Sequence, residues 1–138
     1  MESTYDVELL TPEKTVLKAQ IVSMIVPGTE GFLGVLANHA PLITGLVPGL
    51  LALTFPDGRK EEYCISGGFL EVSGNHAVVL ADSVERPGEI DIERAENAKE
   101  RARVQLKERK GELDVARAEA ALKRAFARLR VGRRSVGV

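Results

Sequence analysis

The hydrophobic pattern of this chain changes period at Pro87-Gly88, and that change limits the fold more than any other feature of the sequence. Before it, apolar residues alternate with polar ones in short runs broken by glycine and proline. After it they recur at three- and four-residue steps: Ile92, Ala95, Ala98, Ala102 and Leu106, then Val115, Ala118, Leu122, Ala125 and Leu129. The first pattern buries one face of a strand and the second one face of a helix, so the two halves need separate architectures. A chain of 138 residues has room for both. The expected organisation is mainly β plus α, with a β-domain over residues 1–86 and a helical hairpin over 87–138.

In the first half, residues 4–10 alternate as a half-buried strand does, and Thr11-Pro12-Glu13-Lys14 supplies a turn. Residues 16–19 and 20–26 read as the next strands. Gly28, Gly31 and Gly34 fall within seven residues, which predicts tight turns between very short strands. Pro48-Gly49 reads as a further turn, and Asp57-Gly58 as a hairpin turn between 50–55 and 61–66. Gly67-Gly68 reads as a break before Phe69-Leu70-Glu71-Val72. About nine short strands at this spacing predict an N-terminal antiparallel β-sandwich or flattened barrel.

In the second half, Asp91 is placed to cap a helix, and Glu93 in the first turn suits the positive end of its dipole. Gly111 can stop that helix, and Val131-Gly132 marks a second stop, leaving a short basic tail. Helices over about 91–109 and 113–131, joined by a few residues, make a C-terminal antiparallel two-helix hairpin. Between residues 91 and 131 there are nine alanines and only four leucines. Each buried CH₂ contributes about 0.8 kcal/mol, so an alanine seam holds two helices together less firmly than a leucine seam. The same segments have strong intrinsic helix propensity. The expected element is a hairpin that can open while its helices persist, a mobile arm.

A net charge of −1 conceals an asymmetry: residues 1–90 carry 5 Lys/Arg against 12 Asp/Glu, and residues 91–138 carry 14 against 8. From Val115 onward, Arg117, Lys123, Arg124, Arg128, Arg130, Arg133 and Arg134 stand against Glu119 alone. Such a helix suits an acidic protein surface, a polyphosphate, nucleic-acid backbone or simply solvent. Only Phe126 is aromatic there, and the apolar face is needed for the hairpin, which argues against a basic-helix nucleic-acid adaptor. No apolar run approaches the length of a membrane span and the N-terminus is acidic, so neither a span nor a signal peptide is expected. Membrane association would come through a partner. Cys64 is the only cysteine, and His39 and His76 have no metal-ligand spacing, so neither an internal disulfide nor a metal site is expected. No catalytic motif is present, and no catalytic residues are expected.

Ile90-Asp91-Ile92-Glu93-Arg94-Ala95 admits two readings on residue chemistry alone. Asp91 and Arg94 can serve as a cap and an i,i+3 pair. Alternatively, a folded hairpin could bring Arg101, Arg124 and Arg128 beside the first helix, and several guanidiniums around one groove suit a triphosphate.

The chain also carries Gly28-x-x-Gly31-x-x-Gly34-x-Leu36-x-x-His39-x-Pro41-Leu42 and then Ser66-Gly67-Gly68-Phe69-Leu70-Glu71-Val72. With the alanine-rich hairpin that follows, it resembles the epsilon subunits of bacterial F-type ATP synthases over nearly its whole length. The resemblance implies a non-catalytic rotor subunit whose β-sandwich meets the gamma subunit and the c-ring. It implies a hairpin that either lies folded or extends toward the alpha and beta subunits to inhibit ATP hydrolysis. Glu30, Phe32 and His39 become rotor-contact candidates, although many relatives carry an acid where this chain has Phe32. Arg117, Lys123, Arg124 and Arg128 become candidates for the inhibitory contact with beta. In some Bacillus-type members a motif written I/L-D-x-x-R-A on the folded hairpin binds ATP as a regulatory ligand. Ile90, Asp91, Arg94 and Ala95 satisfy it, and Glu85, Arg101, Arg124 and Arg128 match the accompanying positions. No cofactor is required by the resemblance, and the implied location is the cytoplasmic face of a bacterial membrane, peripheral and within the complex.

Overall fold

The computed structural model describes residues 3–108 and 111–135. The chain divides into two compact units, Met1–Glu85 and Arg86–Val138.

Among the described residues the first unit contains β1 (Tyr5–Leu10), β2 (Thr15–Ile21), β3 (Ser23–Gly28), β4 (Gly31–Leu36), β5 (Leu42–Thr54), β6 (Lys60–Ser73), β7 (His76–Ala81) and β8 (Val84–Glu85). They join in the order β2-β1-β7-β6-β5-β3-β4, with β8 on β6. Pairing is antiparallel except between β1 and β7, which run parallel. The Asp57-Gly58 turn forms as the sequence predicts. Gly58 N–H donates to the Phe55 carbonyl at 2.9 Å, and Arg59 N–H to Asp57 Oδ1 at 3.0 Å.

The two long strands β5 and β6 pair along nearly their whole length and serve both layers. The early part of β5, from Leu42 to Leu46, faces the late part of β6, which continues to β7. The late part of β5, from Pro48 to Thr54, faces the early part of β6 and takes β3 on its other side. Side chains from both parts meet in one core, including Met24, Val26, Leu51, Leu53, Tyr63, Ile65, Leu70, Val72 and Val79.

Here two sequence expectations are corrected. Pro48-Gly49 is not a turn between strands, and Gly67-Gly68 does not separate two strands; both lie inside continuous ones. The reason is a change of parity at the corner. In β6 the residues of the hydrophobic core are odd-numbered before Gly67 (Tyr63, Ile65) and even-numbered after it (Leu70, Val72), with Cys64 buried outside that core. In β5 they change from Leu46 to Leu51 and Leu53. A broken alternation reads as a strand end, yet ladder pairing continues from Pro48↔Ser66 to Leu46↔Gly68. Gly67 and Gly68 make the corner with φ of 114° and 145°, and a Cβ on Gly68 would lie 2.0 Å from the Leu80 carbonyl oxygen. The strands expected at 16–19 and 20–26 are likewise redrawn, with the break at Val22 between β2 and β3.

In the second unit a 3-10 turn, Pro87–Glu89, leads to α1 (Ile92–Glu108) and α2 (Glu112–Ser135). All ten residues of the two predicted apolar stripes are buried or half-buried, with Ala95, Ala102, Ala118, Ala125 and Leu129 innermost. Arg109, where the first helix was expected to end, lies outside the described residues. The second helix does not stop at Gly132 but runs on through Ser135. Gly132 packs so closely that a Cβ there would meet Ile90 Cγ2 at 3.0 Å and Ile92 Cγ1 at 3.4 Å. Close approach to α1 offsets the roughly 1 kcal/mol that glycine costs within a helix. No helix among the described residues is long and apolar enough to cross a membrane.

Gly68→Ala should destabilise the β-unit by on the order of 3 kcal/mol, since the methyl has no room and the backbone angle disfavours it. Urea unfolding should report a lower midpoint with an unchanged slope.

Candidate functional site

Asp91 lies just outside α1, where its side chain can accept a hydrogen bond from the helix's unpaired N–H groups. Its Oδ1 accepts from Arg94 N–H at 3.0 Å, and its own carbonyl accepts from Ala95 N–H at 3.0 Å. The capping reading of the motif is therefore realised in the geometry. Ile90 is buried and meets Gly132, near the C-terminal end of α2. Ala95 is buried in the seam, whereas the Arg94 side chain is exposed.

Sequence reasoning missed the polar link between the helices. Lys99 Nζ lies 2.8 Å from Glu96 Oε2, and Arg133 pairs with Glu96 Oε1 from α2. The hydrogen bond from Lys99 is the main cause holding the Glu96 carboxyl below the ordinary glutamate range, and Arg133 adds to it. An i,i+3 signal for Glu96 and Lys99 was available in the sequence. The signal for Arg133 was hidden because Gly132 read as the end of the helix.

Glu96 beside Arg133 and Ile92 beside Gly132 fix the antiparallel register of the hairpin. Carried along both helices, that register sets Arg101 level with Arg124, and Ala98 level with Arg128, within about one turn. Arg117, Arg124 and Arg128 fall within about 40° of one another around α2, and Arg94 and Arg101 within about 20° around α1. Arg94, Arg101 and Arg124 form no ion pair among the described residues. Lys123 is exposed, about 100° round the helix from Arg124. Arg117 also lines a cleft of about 310 Å³ near the hairpin's connecting end, with Gln105, Glu108 and Asp114. Glu85 ends β8 in the first unit, paired with Cys64.

The rotor-contact candidates occupy two places. Glu30 sits at the tip of the β3–β4 hairpin, whose last pairing is Gly28↔Gly31. Phe32 pairs with Pro27 and is 64% exposed. His39 lies beyond the far end of β4, so roughly 17 Å of strand separates it from Glu30. Its Nδ1–H donates to the Ala40 carbonyl at 2.7 Å. The structure also reveals an apolar strip absent from the sequence-based candidates. Phe69 is 61% exposed and sits directly opposite Leu80 across β6 and β7, while Ile43, 75% exposed, stands diagonally beside it on β5. Alternation marks such residues only as outward-facing; the register brings them together.

Residues 4–87 match the family described as ATP synthase, Delta/Epsilon chain, beta-sandwich domain, and residues 89–132 match its long alpha-helix domain. The chain belongs to the ATP synthase delta/epsilon chain family. It is 49% identical to the ATP synthase epsilon chain of Moorella thermoacetica over 106 residues, 77% of this chain and 79% of that one. The epsilon chain of Carboxydothermus hydrogenoformans is 48% identical over 106 residues, covering 77% and 78%. Among solved structures, a chain in the Euglena gracilis mitochondrial ATP synthase, containing OSCP, F1 and c-ring, superposes with a TM-score of 0.82. That match has 26% identity and covers 92% of this chain and 80% of that one. A chain of the Tetrahymena thermophila central stalk and c-ring shares the fold, with a TM-score of 0.70 at 15% identity. Membership in this family makes the chain a non-catalytic epsilon-type subunit of an ATP synthase.

The Glu96 link gives a signed pH dependence. A carboxyl whose pKa is lowered by folding stabilises fully above its unfolded value, 4.5, and that stabilisation is lost as pH falls through the lower folded value. Glu96→Gln should therefore loosen the hairpin at pH 7, and the gap from the parent chain should close as pH falls below 4.5. Interhelix fluorescence transfer across the pH range measures it, and a gap that persists at acid pH would contradict the assignment.

Proposed function

We propose that the chain is a rotor subunit in the central stalk of an F-type ATP synthase, at the cytoplasmic face of a bacterial membrane. Its β-unit binds the gamma subunit and the c-ring, and its helical unit is a nucleotide-sensitive brake on hydrolysis by the alpha and beta subunits. Support for the stalk role comes from family membership and from the likeness to a chain in an F1 and c-ring assembly. The strip of Ile43, Phe69 and Leu80 offers the β-unit an apolar docking surface, and Glu30, Phe32 and His39 supply further rotor contacts. Phe32 contributes an apolar contact in place of an acidic one.

One observation carries the nucleotide reading. Among the described residues Arg94, Arg101 and Arg124 carry no ion pair, while a thin alanine seam and the Glu96–Arg133 link help hold the hairpin closed. Guanidiniums arranged beside one another repel, and a polyphosphate relieves that repulsion. ATP bound at Asp91, Arg94, Arg101, Arg124 and Arg128, with Ile90 and Ala95 shaping the motif, stabilises the closed hairpin by its differential affinity for that state. When ATP falls the hairpin opens, and the stripe of Arg117, Arg124 and Arg128, with Lys123, engages acidic surface on beta.

Calorimetry of the full chain should register ATP binding, and Arg124→Ala with Arg128→Ala should weaken it by at least tenfold. Absence of heat and of chemical-shift change at millimolar ATP would remove the nucleotide reading. Separately, ending the chain at Ile90 should raise ATP hydrolysis by the assembled enzyme without loss of assembly. Unchanged hydrolysis would show that the hairpin is not the brake.

A further inference from the structure

The turn that carries His39 is anchored by a residue remote from it in sequence. Residues 37–41 connect β4 to β5, and Asn38 takes a left-handed φ of 61°. Such a turn exposes backbone donors that no ladder satisfies. Asn38 N–H finds its partner 37 residues away, donating to Asn75 Oδ1 at 2.7 Å. Asn75 itself sits in the turn between β6 and β7 with φ of 58°, a conformation that asparagine tolerates better than other residues with side chains. The other end of its amide is occupied as well: Nδ2 donates to the Thr4 carbonyl at 3.0 Å. Its backbone carbonyl accepts from Asp6 N–H at 3.3 Å. The amide orientation is fixed by this chemistry, because reversing it would point a donor at Asn38 N–H and an acceptor at the Thr4 carbonyl.

Asn75 thus joins the start of β1, the β6–β7 turn and the β4–β5 turn. A second brace lies close by. Tyr5, buried at the start of β1, donates its hydroxyl to the Val35 carbonyl at 2.7 Å, three residues before Asn38. Beyond the turn, β5 is taken up at once by Leu42↔Val72 on β6. Between Val35 and Leu42 the described side-chain bonds to the rest of the unit come down to the one from Asn75, since His39 bonds only its neighbour Ala40. Ala37 packs against the core at the start of that stretch, and among the described residues Asn75 supplies the hydrogen bond that ties the turn beyond it to the rest of the sheet.

We propose that Asn75 is a positioning residue for the rotor contact, setting the Asn38–Pro41 turn so that His39 meets the stalk. The proposal rests on the rotor-facing reading of that turn. Asn75 need not touch the partner; it acts through a single hydrogen bond to the turn's backbone. Its contribution to binding is the cost of ordering the turn that the bond has already met before the partner arrives.

Two substitutions separate that bond from everything else Asn75 does. Asn75→Gly keeps the left-handed backbone and removes the side chain. Asn75→Asp keeps an oxygen to accept from Asn38 N–H but loses the donor to Thr4. Binding of each full-length variant to a reconstituted subcomplex of gamma and c-ring is measured by surface-immobilised titration, with His39→Ala as the reference for direct contact. Expected is a loss of tenfold or more for Asn75→Gly, with Asn75→Asp within threefold of the parent. Amide spectra of the free chain should show residues 38–41 shifted and broadened in Asn75→Gly but not in Asn75→Asp. Equal losses for the two variants would overturn the proposal, because a merely structural role predicts that result. Parent-like binding by Asn75→Gly while His39→Ala binds weakly would also overturn it. Parent-like binding by His39→Ala refutes the rotor reading of the turn, and with it the binding claim. The spectra then decide whether Asn75 positions the turn, and unchanged 38–41 amides would refute that as well.

Discussion

Everything in the β-unit hangs on one pair of long strands turning a corner together. β5 and β6 stay hydrogen-bonded through the bend, so one ladder supplies the middle of both layers, and the remaining strands are added at its flanks. A bend of this kind needs backbone that can leave the ordinary β region without breaking its pairing. It also needs a side where two strands come closer than a side chain allows. Gly67 and Gly68 meet the first demand with positive φ, and Gly68 meets the second against the carbonyl of Leu80. The core then closes over Met24, Leu51, Tyr63, Leu70 and Val79, and no polar side chain is buried among the described residues.

The corner also determines what the surface offers. Because parity changes there, Phe69 faces outward although it is a large aromatic next to the buried Leu70, and it comes to stand opposite Leu80 and beside Ile43. Three exposed large apolar residues on adjoining strands are an unusual expense for a domain that acts alone, and they suit a subunit that spends its life in an assembly. At the sheet's end, polar chemistry takes over: Glu8 accepts from His76 at 2.7 Å and lies 3.5 Å from Lys18, and Asn75 braces the neighbouring turns.

The helical unit is built on the opposite principle. Its seam of alanines permits close approach but buries little area, and the end away from the connecting turn is secured by small, specific devices: the Asp91 cap, Gly132 against Ile90, and Glu96 between Lys99 and Arg133. Each is weak beside the burial of a large apolar side chain, so the proposed nucleotide would need only a modest differential affinity to favour the closed hairpin. A leucine seam would bury more apolar area and hold the helices more firmly.

Much of this was legible in the residues. Periodicity alone separated strands from helices at Pro87-Gly88, because a period of two and a period near 3.6 cannot be confused over such lengths. Asp91 could be read as a cap because the unpaired N–H groups of a helix start make the same demand in any fold. The glycine-rich and Ser66–Val72 motifs pointed to the right family. Tertiary structure decided the rest. Gly67-Gly68 and Gly132 looked like terminators because glycine's local preference is to stop an element, yet the first makes a corner inside a continuous ladder and the second sits where α2 packs closely on Ile90 and Ile92. Likewise, nothing in the spacing of Glu96 and Arg133, or of Asn38 and Asn75, announces a bond across 37 residues. Local pattern fixes which face of an element is apolar; only the packed fold determines which partner that face, and the polar groups at its rim, will meet.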